Sequence, residues 1–301
     1  MDKLRASIII PTRNRLTDLC TMLESVVCQT EKPLEIVIVD SSDEPVNNHQ
    51  KFITVSERCS VAGVTMVYYH TQERGAARQR NIALDFVHGN ICPFFDDDVV
   101  LTRNYLHNMH AIFREFPEFA GGMGTVFAPT PRMTWCRLLR IAFLLQRDGA
   151  SGKFTFSGMP THTYGTDKFK NVDVLGGCCM CLRAAIAKQE KFDERLGIYS
   201  YMEDCDLSWR VSRNHPLFYN PQARLEHRCS PQARERLVTT RALFIYNYSY
   251  LFFKNFYPKN KLKILGYWWS ITGLFVEAVL LRDLAYLNGY VQGLRRFWIG
   301  S

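Results

Sequence analysis

Three carboxylates in a row, Asp96-Asp97-Asp98, close the apolar stretch Ile91–Phe95. Adjacent carboxylates repel one another, and a bound cation relieves that repulsion. Alternate strand positions point the same way, so the first and third acids can share one ligand. One or two carboxylates together with substrate phosphates form a common Mg²⁺ environment. The competing reading is an acidic turn ahead of the helical pattern Leu101–Phe113. A second acidic group, Glu203-Asp204-x-Asp206, opens a helix much later in the chain. A carboxylate there could take a proton from an attacking hydroxyl, or simply complement the helix dipole. His227 follows the strand-like stretch Ala223–Glu226. A lone histidine is commonly structural, and it becomes a metal-ligand candidate only in the company of such acids. The run Arg74-Gly75-Ala76-Ala77-Arg78-Gln79-Arg80-Asn81 sets small residues at a helix start among arginines. That suits phosphate or ribose contacts, and equally a solvated basic face.

The elements that must position these groups alternate between strand and helix. Ala6–Ile10 and Leu34–Val39 are continuous apolar runs, ending in Pro11 and Asp40, and read as strands buried on both faces. Between them Leu19, Met22, Leu23, Val26 and Val27 mark one face of a helix. Val64–Tyr69 and Ile91–Phe95 supply a third and a fourth strand, separated by a helix from about Ala76 to Phe86. This alternation predicts an α/β fold, a Rossmann-like and mostly parallel sheet flanked by helices. Ligands bind at the carboxyl ends of such strands. Here those ends carry Pro11-Thr12-Arg13-Asn14, Asp40-Ser41 and the aspartate triplet, which points to one shared site. Trp135–Gln146 carries a helical signal, and Ser151–Phe169 reads as a loop.

Charge divides the chain unevenly. Through His227 basic and acidic residues cancel at 26 each, whereas the remainder holds 11 basic and 3 acidic residues and 16 of the 39 aromatics. We therefore read residues 1–235 as a catalytic domain and 236–301 as a helical extension. The extension is expected to lie on an anionic membrane surface or to cap the acceptor site. Within it, Ile264–Leu281 is apolar except for Glu277 but contains Gly266, Ser270, Thr272 and Gly273, a weak candidate for a span. Nothing in the tail matches a nucleic-acid module. The start, MDKLRASIII, has no apolar stretch of signal length, so a cytoplasmic location is expected, with the cytoplasmic membrane face as the place of contact. The ten cysteines form no metal-ligand spacing and read as small buried hydrophobes.

In order, SIIIPTRNR, EIVIVDSS, ERGAARQRN, FFDDDV, GGCCMCLR, EDCDLSWR and the histidine of LEHR make the chain resemble the family 2 glycosyltransferases of GT-A fold, rhamnosyltransferase-like and non-processive. The resemblance implies an inverting transfer of one sugar from a nucleotide-diphosphate sugar to an acceptor hydroxyl, with a divalent metal, Mn²⁺ or Mg²⁺. It implies that Pro11, Thr12, Arg13, Asn14, Asp40, Arg78, Asn81, Asp96 and Asp97 serve the nucleotide donor. Asp96 and Asp98 match the D-x-D motif, with Asp98 the direct metal ligand and His227 a further one. Gly176, Gly177, Arg183, Glu203 and Trp209 fall beside the acceptor and donor sugar, and Asp204 matches the catalytic base. The acceptor implied is a glycan or a lipid-linked saccharide, in cell-surface glycan or polysaccharide assembly. Two departures stand out. Ser41-Ser42 stand where the family often has two acids and a glycine after the second strand, and the Q-x-x-R-W motif of processive synthases is missing. A nucleotidyltransferase is the rival enzyme, although the first loop lacks that class's glycines. A non-catalytic membrane or nucleic-acid binder would leave the aspartate triplet without a purpose.

Overall fold

The computed structural model describes residues 3–127, 134–147, 151–196, 201–229 and 237–300. Its first half runs β1 (Ser7–Thr12), α1 (Leu16–Val27), β2 (Glu35–Asp40), α2 (Gln50–Val61), β3 (Thr65–His70) and α3 (Ala76–Leu84). Every residue of β1 and β2 is buried, as their unbroken β-branched runs require. Both pair in parallel, with β2 central between β1 and β3. β1 passes through Pro11, beyond its expected end. Odd positions of β1 face β4 (Ile91–Pro93), where the Phe95 amide donates to the Ile9 carbonyl at 3.0 Å. β4 has ended before Pro11 is reached, so the missing proline N–H removes no ladder bond.

The chain continues through β5 (Val99–Leu101), α4 (Tyr105–Glu115), β6 (Gly121–Val126), α5 (Thr134–Ala142), β7 (Lys170–Val172), β8 (Met180–Arg183), α6 (Ala184–Glu190), α7 (Glu203–Ser212) and β9 (Leu217–His227). These strands order as β4-β8-β6-β9-β5, with β7 also on β9. Parallel bridges at Ala6–Ile91 and Ile9–Phe94 join this sheet to the first. The architecture is the expected α/β one, parallel through β1–β3 and mixed beyond, because β8, β5 and β7 run antiparallel to their neighbours. β9 extends well before Ala223. Its pairing skips from Tyr219 to Arg224 opposite Met123 and Thr125, a bulge that hides the strand's period in sequence.

The tail forms α8 (Leu237–Leu251, running on as a π turn through Phe256), α9 (Lys263–Leu280) and α10 (Leu284–Ile299). Tyr248, Phe252, Phe256 and Tyr267 build a second core with Phe154, Met159 and Trp209. The Ser151–Phe169 segment, irregular apart from a Phe154–Pro160 bridge, is thereby anchored. Asp206 ties α7 to the tail, accepting from Lys254 at 2.7 Å and Asn255 at 2.9 Å. α10 lies close on α8 because Gly289 and Gly293 leave room. A Cβ at Gly289 would strike Arg241, and one at Gly293 the Ala242 carbonyl. The outer face of α9 stays exposed and apolar through Leu262, Leu265, Trp269 and Leu280. Among the described residues, no helix is long and apolar enough to cross a membrane. Eight cysteines are buried. Cys28 and Cys229 are exposed, which corrects the expectation that all ten fill core, since both sit just past element ends.

Candidate active site

A cleft of about 1150 Å³ opens where β1, β4 and β9 end, and α3, α7, α8 and the 159–164 segment wall it. The aspartate triplet splits by direction. Asp97 turns under the first loop, accepting from the Thr12 hydroxyl at 2.7 Å and from Arg15 at 3.0 Å. Burial pushes its carboxyl up to about 7, against the pull of Arg15. Asp98 keeps one oxygen 3.5 Å from the same Arg15 and turns the other toward β9. β5 and β9 align Val99 with His227, and His227 Nε2 lies 3.0 Å from Asp98 Oδ1. One ligand atom from each of Asp96, Asp98 and His227 falls within 4.8 Å of the others. Its hydrogen bond to Asp98 raises the His227 pKa to about 10, with Cys178 adding to the effect. Two carboxylates and an imidazole form a donor set that fits a divalent ion. The hard oxygens suit Mg²⁺ or Mn²⁺, and the nitrogen favours the transition ion of the two.

Arg80 links this group to the second acidic cluster. It is 2% exposed, and its guanidinium donates to Asp96 at 2.8 Å, to Glu203 at 2.6 Å and to the Gly177 carbonyl at 3.1 Å. Burial, then the charge of Asp204, raises Glu203, and Arg80 opposes both. Breaking such a buried pair costs roughly 3–5 kcal/mol, so Arg80 fixes the distance between the two acidic clusters. Asp204 lies in the first turn of α7 behind Met202, whose φ of 74° is a left-handed value that a non-glycine residue adopts only under constraint. The Asp204 carboxylate accepts the Gly177 amide at 2.7 Å and the Cys205 amide at 2.8 Å. It borders the same cleft as the metal-ligand group, and the half-buried His162 stands beside it.

The sequence profile described as "Glycosyl transferase family 2" matches residues 7–189. The chain belongs to glycosyl transferase family 2. Two uncharacterized glycosyltransferases, from Rickettsia bellii and Rickettsia felis, are 29% and 32% identical over 103 and 104 residues, or 34% and 33% of this chain. These matches span only 14% and 16% of the rickettsial proteins. The fold is shared with solved glycosyltransferases of GT-A type. The Pyrobaculum calidifontis mannosyltransferase PcManGT, in complex with GDP-Man and Mn²⁺, has a TM-score of 0.61 at 15% identity, covering 100% of this chain and 89% of that one. GalNAc-T7 with UDP, GalNAc and Mn²⁺ gives 0.63 at 14%, covering 83% and 47%. S. aureus TarS 1–349 with UDP-GlcNAc gives 0.59 at 15%, covering 98% and 80%.

Within this family 2 chain, Pro11, Thr12, Arg13, Asp96, Asp97, Gly177, Glu203, Asp204 and His227 line the cleft, and Asp98 lies buried beneath it. Seven other candidates do not line it. Asp40 is fully buried, and its carboxylate accepts from the Ser42 and Val46 amides and the Tyr68 hydroxyl, so it shapes the loop after β2. Asn14 is held by Ser42 and Asp43 in the same loop. Arg78 points outward to Glu73 and Glu194. Asn81 bonds the Phe192 backbone. Arg183 sits at the opposite end of β8, on the carbonyls of Phe119 and Pro117. Trp209 packs on Phe256 at 4.0 Å between ring centroids, inside the second core. Gly176 lies under the Tyr164 hydroxyl, just behind the cleft. On α3 it is Arg80, rather than Arg78 or Asn81, that lines the cleft. Its signal is helical phase, since Ala77, Arg80 and Leu84 share the buried face. Arg15, His162 and Arg241 also line the cleft without having been singled out.

Proposed function

We propose that the protein is an inverting glycosyltransferase that moves one sugar from a nucleotide-diphosphate donor to an acceptor hydroxyl. The observation that carries this reading is the pairing, in one cleft, of a three-ligand metal group with the carboxylate of Asp204. Pro11, Thr12, Arg13 and Arg74 border the end assigned to the nucleotide. Asp96, Asp98 and His227 would hold Mn²⁺ or Mg²⁺, which supplies positive charge to the leaving diphosphate. Asp204 takes the proton of the acceptor hydroxyl as that oxygen attacks the anomeric carbon on the face opposite the departing nucleotide. Glu203, paired with Arg80, is a positioning residue. Gly177 anchors Asp204 and has no part in the chemistry. The donors bound by the neighbouring structures support a nucleotide-sugar substrate. The test is hydrolysis of a panel of UDP- and GDP-sugars with and without Mn²⁺. At least one donor is expected to be hydrolysed in a metal-stimulated way. Pyrophosphate release from nucleoside triphosphate and sugar phosphate, without donor hydrolysis, would instead favour a nucleotidyltransferase.

Residues 1–235 are proposed as the catalytic domain and 236–301 as its extension, working at the cytoplasmic membrane face on a glycan or lipid-linked acceptor for cell-surface assembly. The support is the exposed apolar face of α9, flanked by Lys259, Lys261 and Arg282. Tryptophan and basic side chains together suit a headgroup region. Co-flotation with vesicles containing anionic lipid is expected, and Leu265→Glu combined with Trp269→Glu should abolish it. Flotation that survives both changes would exclude α9 as the contact.

A further inference from the structure

Past Asp204 the cleft continues between Tyr201 and α8, where Arg241 and Phe244 line it. Six arginines line the cleft. Arg13, Arg15, Arg74, Arg80 and Arg140 each have a carboxylate within 4.0 Å. Arg241 differs. Its guanidinium stacks 3.9 Å from the ring centroid of Tyr286 and donates to that neutral hydroxyl. No carboxylate pairs with it among the described residues, and its Nε is buried without a hydrogen-bond partner. A partly buried guanidinium with no carboxylate beside it suits an anion, and its N–H groups match the oxygens of a phosphoryl or carboxyl group. The donor diphosphate already has the metal group and the arginines of the first loop to meet.

We propose that Arg241 binds an oxyanion on the acceptor, making the acceptor an anionic saccharide. This rests on the glycosyltransferase reading. The test is calorimetry on protein loaded with Mn²⁺ and whichever of UDP or GDP it binds, so that the donor end is filled. The probes are glucose 6-phosphate, glucuronate and glucose. At least one anionic probe is expected to bind and glucose not, and the probe that responds distinguishes a phosphoryl from a carboxyl group. Arg241→Gln should weaken that binding tenfold or more while nucleotide affinity stays within twofold, and Arg241→Lys should fall between the two. Should Arg241→Gln lose nucleotide binding as well, the Lys variant decides alone. Anions that bind no better than glucose, or bind equally to wild type and variant, overturn the proposal. Failure of the wild type to bind any Mn²⁺–nucleotide would instead count against the glycosyltransferase reading.

Discussion

Asp204→Asn is expected to lower sugar transfer by roughly 10²–10⁴, the usual worth of a positioned general base, with donor affinity nearly unchanged. The change keeps the shape of the side chain, and the amide oxygen can still accept from the Gly177 amide, now bonded at 2.7 Å. What is lost is the ability to take a proton, together with the bond from the Cys205 amide, which then faces the new NH2 group. The negative charge beside Glu203 is lost as well, so that carboxyl should ionise more readily than in the wild type. Donor affinity by calorimetry, combined with single-turnover transfer, separates binding from chemistry. An Asp204→Asn protein that transfers sugar at the normal rate would remove Asp204 from the mechanism.

The second large effect is expected at Asp98. Asp98→Ala removes a carboxylate that is 3% exposed and stands 3.0 Å from His227. Partners that merely orient a metal ligand are worth about 10–100-fold in metal affinity. Losing a ligand should cost at least the upper end of that range. Titrating nucleotide with and without Mn²⁺ should show a strong metal dependence in the wild type and almost none in the variant. Asp97 keeps its bonds to Thr12 and Arg15 in this variant, so the first loop should stay folded. Metal-dependent nucleotide binding that persists at wild-type strength would show that the ion is held elsewhere.

The first half of the fold was legible because its signals are local. Ile8–Ile10 and Ile36–Val39 announce buried parallel strands wherever they occur. The mixed half was less so. β7 has three residues and no period, and the bulge in β9 breaks the alternation that would have revealed it. In the candidate site, the meeting of Asp96, Asp98 and His227 was foreshadowed by motif order. Contacts made by long-range burial were not. Arg80 meets Glu203 across 123 residues, and nothing near either one in the chain foretells the pair. Arg78 and Asn81 lie on either side of Arg80 in sequence, but a helix turns successive side chains by about 100°, so neither points where Arg80 does. Arg241, proposed to meet the acceptor, was hidden because what sets it apart is that no carboxylate pairs with it among the described residues, and sequence does not record who fails to meet whom.

The glycine seam between α8 and α10 has a mechanical consequence. Gly289 sits directly against Arg241, and Gly293 against the next residue of the same helix. α10 supplies no side chain to the cleft lining, yet its backbone is the anvil on which the α8 wall rests. A methyl group at 289 or 293 would push that wall as a unit, moving Arg241 and Phe244 together. The last helix thus sets the calibre of the cleft from behind, and truncating it would change what the cleft admits even with every lining residue intact.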